Sequence, residues 1–587
     1  MCGISGYIGK NNATKILVEN LEKLEYRGYD SSGLCLYKNK DFKVIKSLGS
    51  ISKLKEKVKN IDEDFAIGIG HTRWATHGKP SQKNAHPHLS NNKKIAVVHN
   101  GIIENYKQLK NQLICENFFF NSDTDTEVIS NLLEKYFRTN FIETINIVLN
   151  KLKGSFALAI LNKDEDKIYF AKNKSPLYIG IGKDEVQLTS DISTFFGKLE
   201  SYIILEDGEF GSVSGRNIEI FDKNMRKINK KPIKLEKEYK NTCLLNEKYY
   251  MSKEINEIPN VLKNELISLN NLKNKIDKNL FLNINSIEII DCVTAYHAGL
   301  MGSYFIEKNC RIPCHVFIAS EFKYSNPILS KNNLYVFISQ SGETADTISC
   351  AELVKNFGCK TLAFTNVEHC TLNNIVDFVI PICAGKEVAV ASTKAFTCQV
   401  FAMLFFSHIL ANDYDEFYIN NKDVIDNFYI ENLLGNFYTE ILKFNKIFFV
   451  GRQGDYYSCS EASLKLNEIT YINCMAISAG ELKHGSLALI DESTLVIVIC
   501  TNGFIKEKIN SNIEEILARG GKVALFTIFE KEDFCDVDYY FKLKNYNDEF
   551  NLISSIIPFQ QLAFYVSLEK GYNPDKPRNL AKSVTVE

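Results

Sequence analysis

Met1-Cys2-Gly3-Ile4 opens the chain, and the reading of these four residues decides the fold expected up to about residue 228. If an aminopeptidase removes Met1, which a small side chain at the second position permits, Cys2 gains a free α-amine beside its own thiol. Nucleophile and base then share one residue. The thiolate is the reactive form, and an α-amine with a pKa of about 8 can take its proton at neutral pH. By itself Cys2 is one of 16 cysteines and could equally be buried or frayed. The residues that follow shift the balance toward a nucleophile.

A helical stretch, Ala13 to Glu25, leads into Glu25-Tyr26-Arg27-Gly28-Tyr29-Asp30-Ser31-Ser32-Gly33, whose Gly28, Asp30 and Gly33 mark a tight loop. Strand-like alternation from Phe65 to Gly70 runs into His71-Thr72-Arg73-Trp74-Ala75-Thr76-His77-Gly78. That string puts a guanidinium, two hydroxyls, two imidazoles and the only tryptophan at a strand end and the loop beyond it. Arginine can grip a carboxylate through two parallel hydrogen bonds, and an indole on a glycine-flanked loop suits a lid. The buried run Ile95 to Val98 ends in His99-Asn100-Gly101, either a turn or a carboxamide and backbone N–H pair for an oxyanion. Ser122-Asp123-Thr124-Asp125-Thr126-Glu127 precedes an apolar-periodic helix, Val128 to Tyr136. Its acids can cap that helix or receive a substrate ammonium, one serving each role.

The 587 residues provide material for roughly three or four domains, and 45% hydrophobic with 24% charged is the composition of an ordinary soluble globular protein. Lys and Arg total 69 against 71 Asp and Glu, a net charge of -2, which offers no footprint for nucleic acid or anionic membrane. Any phosphate must therefore be recognised locally. No uninterrupted apolar run of membrane-spanning length and no basic-then-apolar leader is read, so a cytoplasmic protein is expected. Scattered cysteines without a CxxC pair fit a reducing compartment, and no metal site is expected.

Residues Asp222 to Glu238 are crowded with lysine and contain a proline, a composition expected of a linker. Beyond it, strands alternate with helices twice over. Strands are expected at Ile287–Asp291, Leu334–Ile338, Thr361–Thr365 and Phe378–Pro381, then at Ile447–Gly451, Leu495–Cys500 and Val523–Ile528. Such alternation predicts parallel sheets covered on both faces, with ligands at the carboxyl ends of the strands. Ser339-Gln340-Ser341-Gly342-Glu343-Thr344 follows one of these strands and opens a helix. It reads as a helix cap or, with hydroxyls beyond what capping needs, as a phosphate cradle. On a helix of the second copy, Glu461, Lys465 and Glu468 share one face, by default a surface ion-pair row. Further on, His484 stands in Ser478-Ala479-Gly480-Glu481-Leu482-Lys483-His484-Gly485. A carboxylate and an imidazole can move a proton between neighbouring sugar carbons.

Cys-Gly-Ile at the start, Glu25 to Ser31, His71 to Gly78, Asn84-Ala85-His86-Pro87-His88, His99-Asn100-Gly101 and Thr124 to Glu127 together resemble the glutaminase domain of N-terminal-nucleophile amidotransferases. The strings of the second half, with Ala391-Ser392-Thr393-Lys394-Ala395 and the tail Pro577 to Glu587, resemble sugar isomerase (SIS) domains. Nearly the whole chain is similar to the isomerising glutamine:fructose-6-phosphate aminotransferases. The resemblance implies an αββα sandwich over residues 2–228, a linker at 229–245, two α/β parallel-sheet SIS domains at 246–420 and 421–570, and a tail at 571–587. It implies that Cys2 is nucleophile and base, that Asn100 and Gly101 form the oxyanion hole, and that Arg73, Thr76, His77, Gly101 and Asp125 hold glutamine. Trp74 would gate an internal ammonia passage. Thr294, Ser339, Gln340, Ser341 and Thr344 would bind the sugar phosphate, with Val390 and Ala581 in the same pocket. Lys582 would form a Schiff base, His484 open the ring and Glu468 shuttle the proton, supported by Glu461 and Lys465. The substrates implied are glutamine and fructose 6-phosphate, with no cofactor and a homodimer or larger assembly, at the first step of amino sugar (UDP-GlcNAc) synthesis.

The chain departs from that pattern at Val293 and Ala295, where the family has glycine and serine around Thr294. It also departs at Ala462 and at Ser486. Asp291 is expected to add a negative charge near the phosphate site.

Overall fold

The computed structural model describes residues 2–25, 28, 30–59, 61, 63–235, 247–276 and 281–584. Tyr26, Arg27 and Tyr29 of the tight loop, residues 236–245 of the expected linker, residue 246 at the expected start of the first SIS domain, and Thr585, Val586 and Glu587 of the tail lie outside the described residues. The described chain divides into two compact units, one from the start to 235 with Ser583 and Val584, the other from 247 to 582.

In the first unit two antiparallel sheets lie face to face. One has eight strands in the order Ile233–Lys234, Ser201–Ile204, Tyr178–Ile181, Glu185–Thr189, Gly3–Gly9, Ile67–Arg73, Ser31–Lys38, Asp41–Leu48. The other has seven: Lys227–Ile228, Asn217–Phe221, Phe210–Ser214, Ile168–Asn173, Gly154–Asn162, Ile95–Ile103, His88–Leu89. Period-two alternation gives each strand one face for the inter-sheet core, where Ile4, Ile69, Val98, Ala157 and Leu188 meet. The outer face of the first sheet is covered by helix Ala13–Leu24, whose Leu17, Leu21 and Leu24 pack on Tyr7, Leu34 and Leu36. The Asn12 side chain caps that helix through Thr14 N–H and Lys15 N–H. Helices Tyr106–Cys115, Thr126–Tyr136 and Phe141–Leu149 cover the second sheet. This is the expected αββα sandwich. Its boundary differs from expectation: Ile233–Lys234 pairs with Ser201–Tyr202, so the lysine-rich stretch is sheet here and the unit continues past 228.

The second unit contains two five-stranded parallel sheets of identical topology. Their orders are Cys314–Ile318, Ile287–Asp291, Leu334–Ser339, Lys360–Thr365, Phe378–Pro381 and Cys474–Ser478, Lys446–Gly451, Thr494–Cys500, Lys522–Thr527, Tyr539–Lys542. In each, the chain enters at the second strand and the order reverses beside it, which opens a crevice at the carboxyl ends. One continuous core joins the two copies. Helix Val293–Cys310 packs on both Lys394–Ala411 and Gly454–Thr470. Among the described residues only Lys394–Ala411 is long and apolar enough to cross a membrane, and it is almost wholly buried as a core helix. All cysteines among the described residues are free thiols.

Candidate active site

Strand Gly3–Gly9 runs antiparallel to Ile67–Arg73 with Gly3 opposite Thr72, so the pairing register delivers Cys2 to the start of the Trp74 loop. The Trp74 N–H donates to Cys2 Sγ at 3.3 Å and the thiol donates to Trp74 O at 3.4 Å. Burial pushes the Cys2 thiol up, and the Trp74 N–H and Arg73 offset only part of this. A base is needed to make the thiolate.

Beside the thiol lies a small cleft open to solvent, lined by Cys2, Arg73, Trp74, Thr76, His77, Gly101 and Asp125 together with His86, His99, Thr124 and Thr126. The buried guanidinium of Arg73 donates through Nη2 to the carbonyls of His77 and Gly78, while Nη1 is 3.8 Å from Asp30 and has no hydrogen bond among the described residues. A buried, unspent N–H on an arginine suits a carboxylate. Asp125 stands at the start of helix Thr126–Tyr136 but does not cap it; its Oδ2 accepts from Ile103 N–H at 2.8 Å. Glu127 instead orders the preceding loop, accepting from the N–H groups of Asn121 and Ser122 and from the Ser122 hydroxyl. The two acids thus divide the structural and the cleft-facing roles. Gly101 has φ +130, and a Cβ there would lie 2.0 Å from Ser155 O, so only glycine fits. Asn100 does not line the cleft; its Nδ2 donates to Cys2 O at 3.1 Å.

The structure also gathers four buried histidines that the sequence presents only as parts of separate strings. His71 stacks on His86 at 4.0 Å, and His88 meets His86 edge-on at 4.8 Å. His99 N–H donates to His86 Nδ1, and His99 Nδ1 lies 3.0 Å from the Thr126 hydroxyl. Burial pushes His71 down to about 3 and depresses His86, His88 and His99 as well, so the cluster is uncharged at neutral pH.

In the second unit, Glu461, Lys465 and Glu468 do share a helix face, but it is a buried face. Lys465 Nζ is 3.2 Å from Glu461 and 2.7 Å from Glu468, with Glu461 and Lys465 fully buried. Thr294, expected at the phosphate, here donates to Glu461 at 3.1 Å and accepts from Lys465 at 3.1 Å. Sequence reasoning missed His297, whose Nδ1 lies 2.7 Å from Glu461; its i+3 spacing from Thr294 was the available signal. Burial opposes the Glu461 charge, yet Lys465 and His297 hold its carboxyl below the usual range, and the two carboxylates push Lys465 above the usual lysine range.

Ser339 to Thr344 forms a compact turn before helix Ala345–Phe357. Ser339 Oγ accepts from Gly342 N–H at 2.9 Å, Ser341 Oγ accepts from Glu343 N–H at 3.2 Å, and Gly342 has φ +66 with Cys370 packed against it. The Thr344 side chain makes no capping bond to that helix. Gln340 is half-buried. Asp291 corrects an expectation: it is fully buried, accepts from Ile338 N–H at 2.7 Å, and desolvation drives its carboxyl well up. Burial thus works against the negative charge expected of it. His484 is exposed at the end of the short turn Ala479–His484. Lys582 is bonded to Glu387, a buried carboxylate that also accepts from Thr393 N–H, Ala395 N–H and Ser392 Oγ. Val390, nearby in sequence, donates its N–H to Asp575 O, and Ala581 is half-buried. Among the described residues no three His, Cys, Asp or Glu side chains are placed to hold a metal ion.

An αββα unit with a cleft beside Cys2, joined to tandem parallel-sheet units, defines a glutamine amidotransferase coupled to sugar isomerase domains. The Glutamine amidotransferase domain family matches residues 71–197 and the SIS domain family residues 280–409 and 440–564. Glutamine--fructose-6-phosphate aminotransferases [isomerizing] from Caldanaerobacter subterraneus subsp. tengcongensis and Clostridium tetani are 41% and 40% identical to it, over 100% of each chain. The C-terminal domain of glucosamine-fructose-6-phosphate aminotransferase from Francisella tularensis superimposes with a TM-score of 0.52 at 32% identity, covering 56% of this chain and 99% of that one. The chain belongs to the isomerising glutamine--fructose-6-phosphate aminotransferase family.

Proposed function

We propose that the protein converts fructose 6-phosphate and glutamine into glucosamine 6-phosphate and glutamate, supplying amino sugar synthesis. The observation that carries this is similarity over the full length of relatives with that name, so that both half-reactions reside in one chain. With Met1 removed, the Cys2 α-amine takes the thiol proton and the thiolate adds to the glutamine side-chain carbonyl. Asn100 and Gly101 N–H receive the oxyanion. The C–N bond breaks as that proton passes to departing ammonia, and water then hydrolyses the thioester to glutamate. Arg73 Nη1 is matched to the α-carboxylate and Asp125 to the α-amine, with Thr76 and His77 beside them, and Trp74 covers the thiol.

In the second unit the hydroxyls and helix N–H groups of Ser339 to Thr344 take the phosphate. The Lys582 amine adds to C2 of the open ketose, water leaves, and ammonia displaces the lysine. Glu468 moves a proton from C1 to C2, with Lys465 and Glu461 fixing its position, and His484 serves ring opening. Ammonia kept from bulk water stays unprotonated and nucleophilic, which favours direct transfer past Trp74. A homodimer or larger assembly is part of this proposal, tested by the oligomeric state in solution. The test is product analysis: glucosamine 6-phosphate should form from both substrates, and borohydride should trap the sugar on Lys582. Glutamine hydrolysis without amino sugar at any fructose 6-phosphate concentration would overturn the assignment.

A further inference from the structure

His71 is a buried polar side chain to which the chemistry above gives no task. It sits on strand Ile67–Arg73 of one sheet and reaches strand Ile95–Ile103 of the other. Its Nε2 lies 2.9 Å from His99 O and 3.1 Å from Asn100 Oδ1. Both are acceptors, because the Asn100 amide nitrogen is already donating to Cys2 O. Nε2 must therefore carry the proton, and Nδ1 carries none. That bare Nδ1 is buried with no hydrogen bond among the described residues. An unmatched buried nitrogen lowers stability, and a leucine would fill much of the space without it. The imidazole is thus disfavoured by its surroundings on one edge and useful only through the N–H on the other.

We propose that His71 is a positioning residue for the oxyanion hole: its Nε2–H holds Asn100 Oδ1, so that the amide edge of Asn100 stays turned toward Cys2. A carboxamide is nearly symmetric in shape, and a half-turn about its Cβ–Cγ bond would present a carbonyl oxygen to the developing negative charge. The Cys2 carbonyl fixes one edge of the amide and His71 fixes the other. The inference rests on the assignment of Asn100 as oxyanion donor.

The test uses the full-length enzyme and four variants: His71→Leu, His71→Gln, Asn100→Ala and the double His71→Leu/Asn100→Ala. Glutamine hydrolysis is compared with alkylation of Cys2 by iodoacetamide, a displacement at saturated carbon that forms no oxyanion. His71→Leu is expected to lower kcat for hydrolysis about 10- to 100-fold, with KM for glutamine and the alkylation rate within about threefold of wild type. His71→Gln, which keeps an N–H donor, should recover most of the loss. The double variant should be no slower than Asn100→Ala alone. Hydrolysis by His71→Leu at the wild-type rate would overturn the proposal. So would a parallel loss of alkylation and hydrolysis, a failure of glutamine to rescue, or multiplicative losses in the double variant. Unimpaired hydrolysis by Asn100→Ala alone would instead remove the oxyanion assignment, and is read apart from the other outcomes.

Discussion

Val293 is β-branched and half-exposed, yet it holds φ +50 at the turn into helix Val293–Cys310. A side chain branched at Cβ is strained there, by about 1–3 kcal/mol, and glycine would lose roughly 0.5–1 kcal/mol of that gain to chain entropy. Val293→Gly should therefore stabilise the second unit by ~1 kcal/mol, read as a higher urea midpoint at unchanged slope. A lower midpoint would contradict the strain argument. The substitution was legible in the sequence as a departure; that its backbone conformation stays left-handed was not, since residue type alone does not report φ. Asp291 shows the opposite failure. Its letter promises a charge, and only its burial and single N–H partner reveal that the carboxyl is pushed toward its uncharged form. Glu387 is a third case at this scale. Burial pushes its carboxyl up, but the charge and hydrogen bond of Lys582 outweigh it and hold it below the usual range. Glu387→Gln leaves a buried ammonium without its counter-charge. Sugar synthesis should fall at least about tenfold and borohydride trapping should slow, while glutamine hydrolysis persists. Unchanged synthesis would show that the pair does not prepare Lys582.

Among elements, helix Lys394–Ala411 is tied near its end to helix Asp548–Ser555 of the other sheet's half. His408 Nδ1 lies 2.8 Å from Asp413 and its Nε2 3.0 Å from Glu549, which also receives Asn309. Burial alone would depress His408, but the bonds and charges of Glu549 and Asp413 prevail and raise it. A raised histidine contributes stability fully below its unfolded value of about 6.5, and that contribution disappears as pH rises through the folded value. Glu549 is held low, so its share is present above about pH 4.3 and is lost as pH falls through its lower folded value. The thermal midpoint should thus decline on going from pH 6.5 into the alkaline range, and His408→Gln should flatten that decline. An equal slope in both proteins would remove His408 as the cause. The elements themselves were well read from pattern: strands Ile287–Asp291 and Phe378–Pro381 stand where alternation and flanking turns put them. Strand Ile233–Lys234 was misread because lysines at a sheet edge and lysines in a linker have the same composition.

For the whole molecule, both half-reactions were legible from short strings, whereas the contacts that hold the sites were not. The partners Glu387 and Lys582 lie 195 residues apart, and no local period links positions that far separated. Two chemistries in two units also make a functional prediction. Cys2→Ala should abolish use of glutamine, by more than about 1,000-fold, while retaining synthesis from added ammonium at high pH, where more of it is unprotonated. Equal loss with both nitrogen sources would contradict separable sites.

Asp575 accepts the first N–H groups of helix Tyr250–Asn256, from Tyr250 at 2.9 Å and Met251 at 2.8 Å, and its own carbonyl takes Val390 N–H. The chain is therefore riveted seven residues before Lys582. Even if every later contact let go, the amine could roam only within a leash on the order of 24 Å. In the proposed reaction, an amine on so short a leash never dilutes into solution, so each turnover would begin with it already at high local concentration.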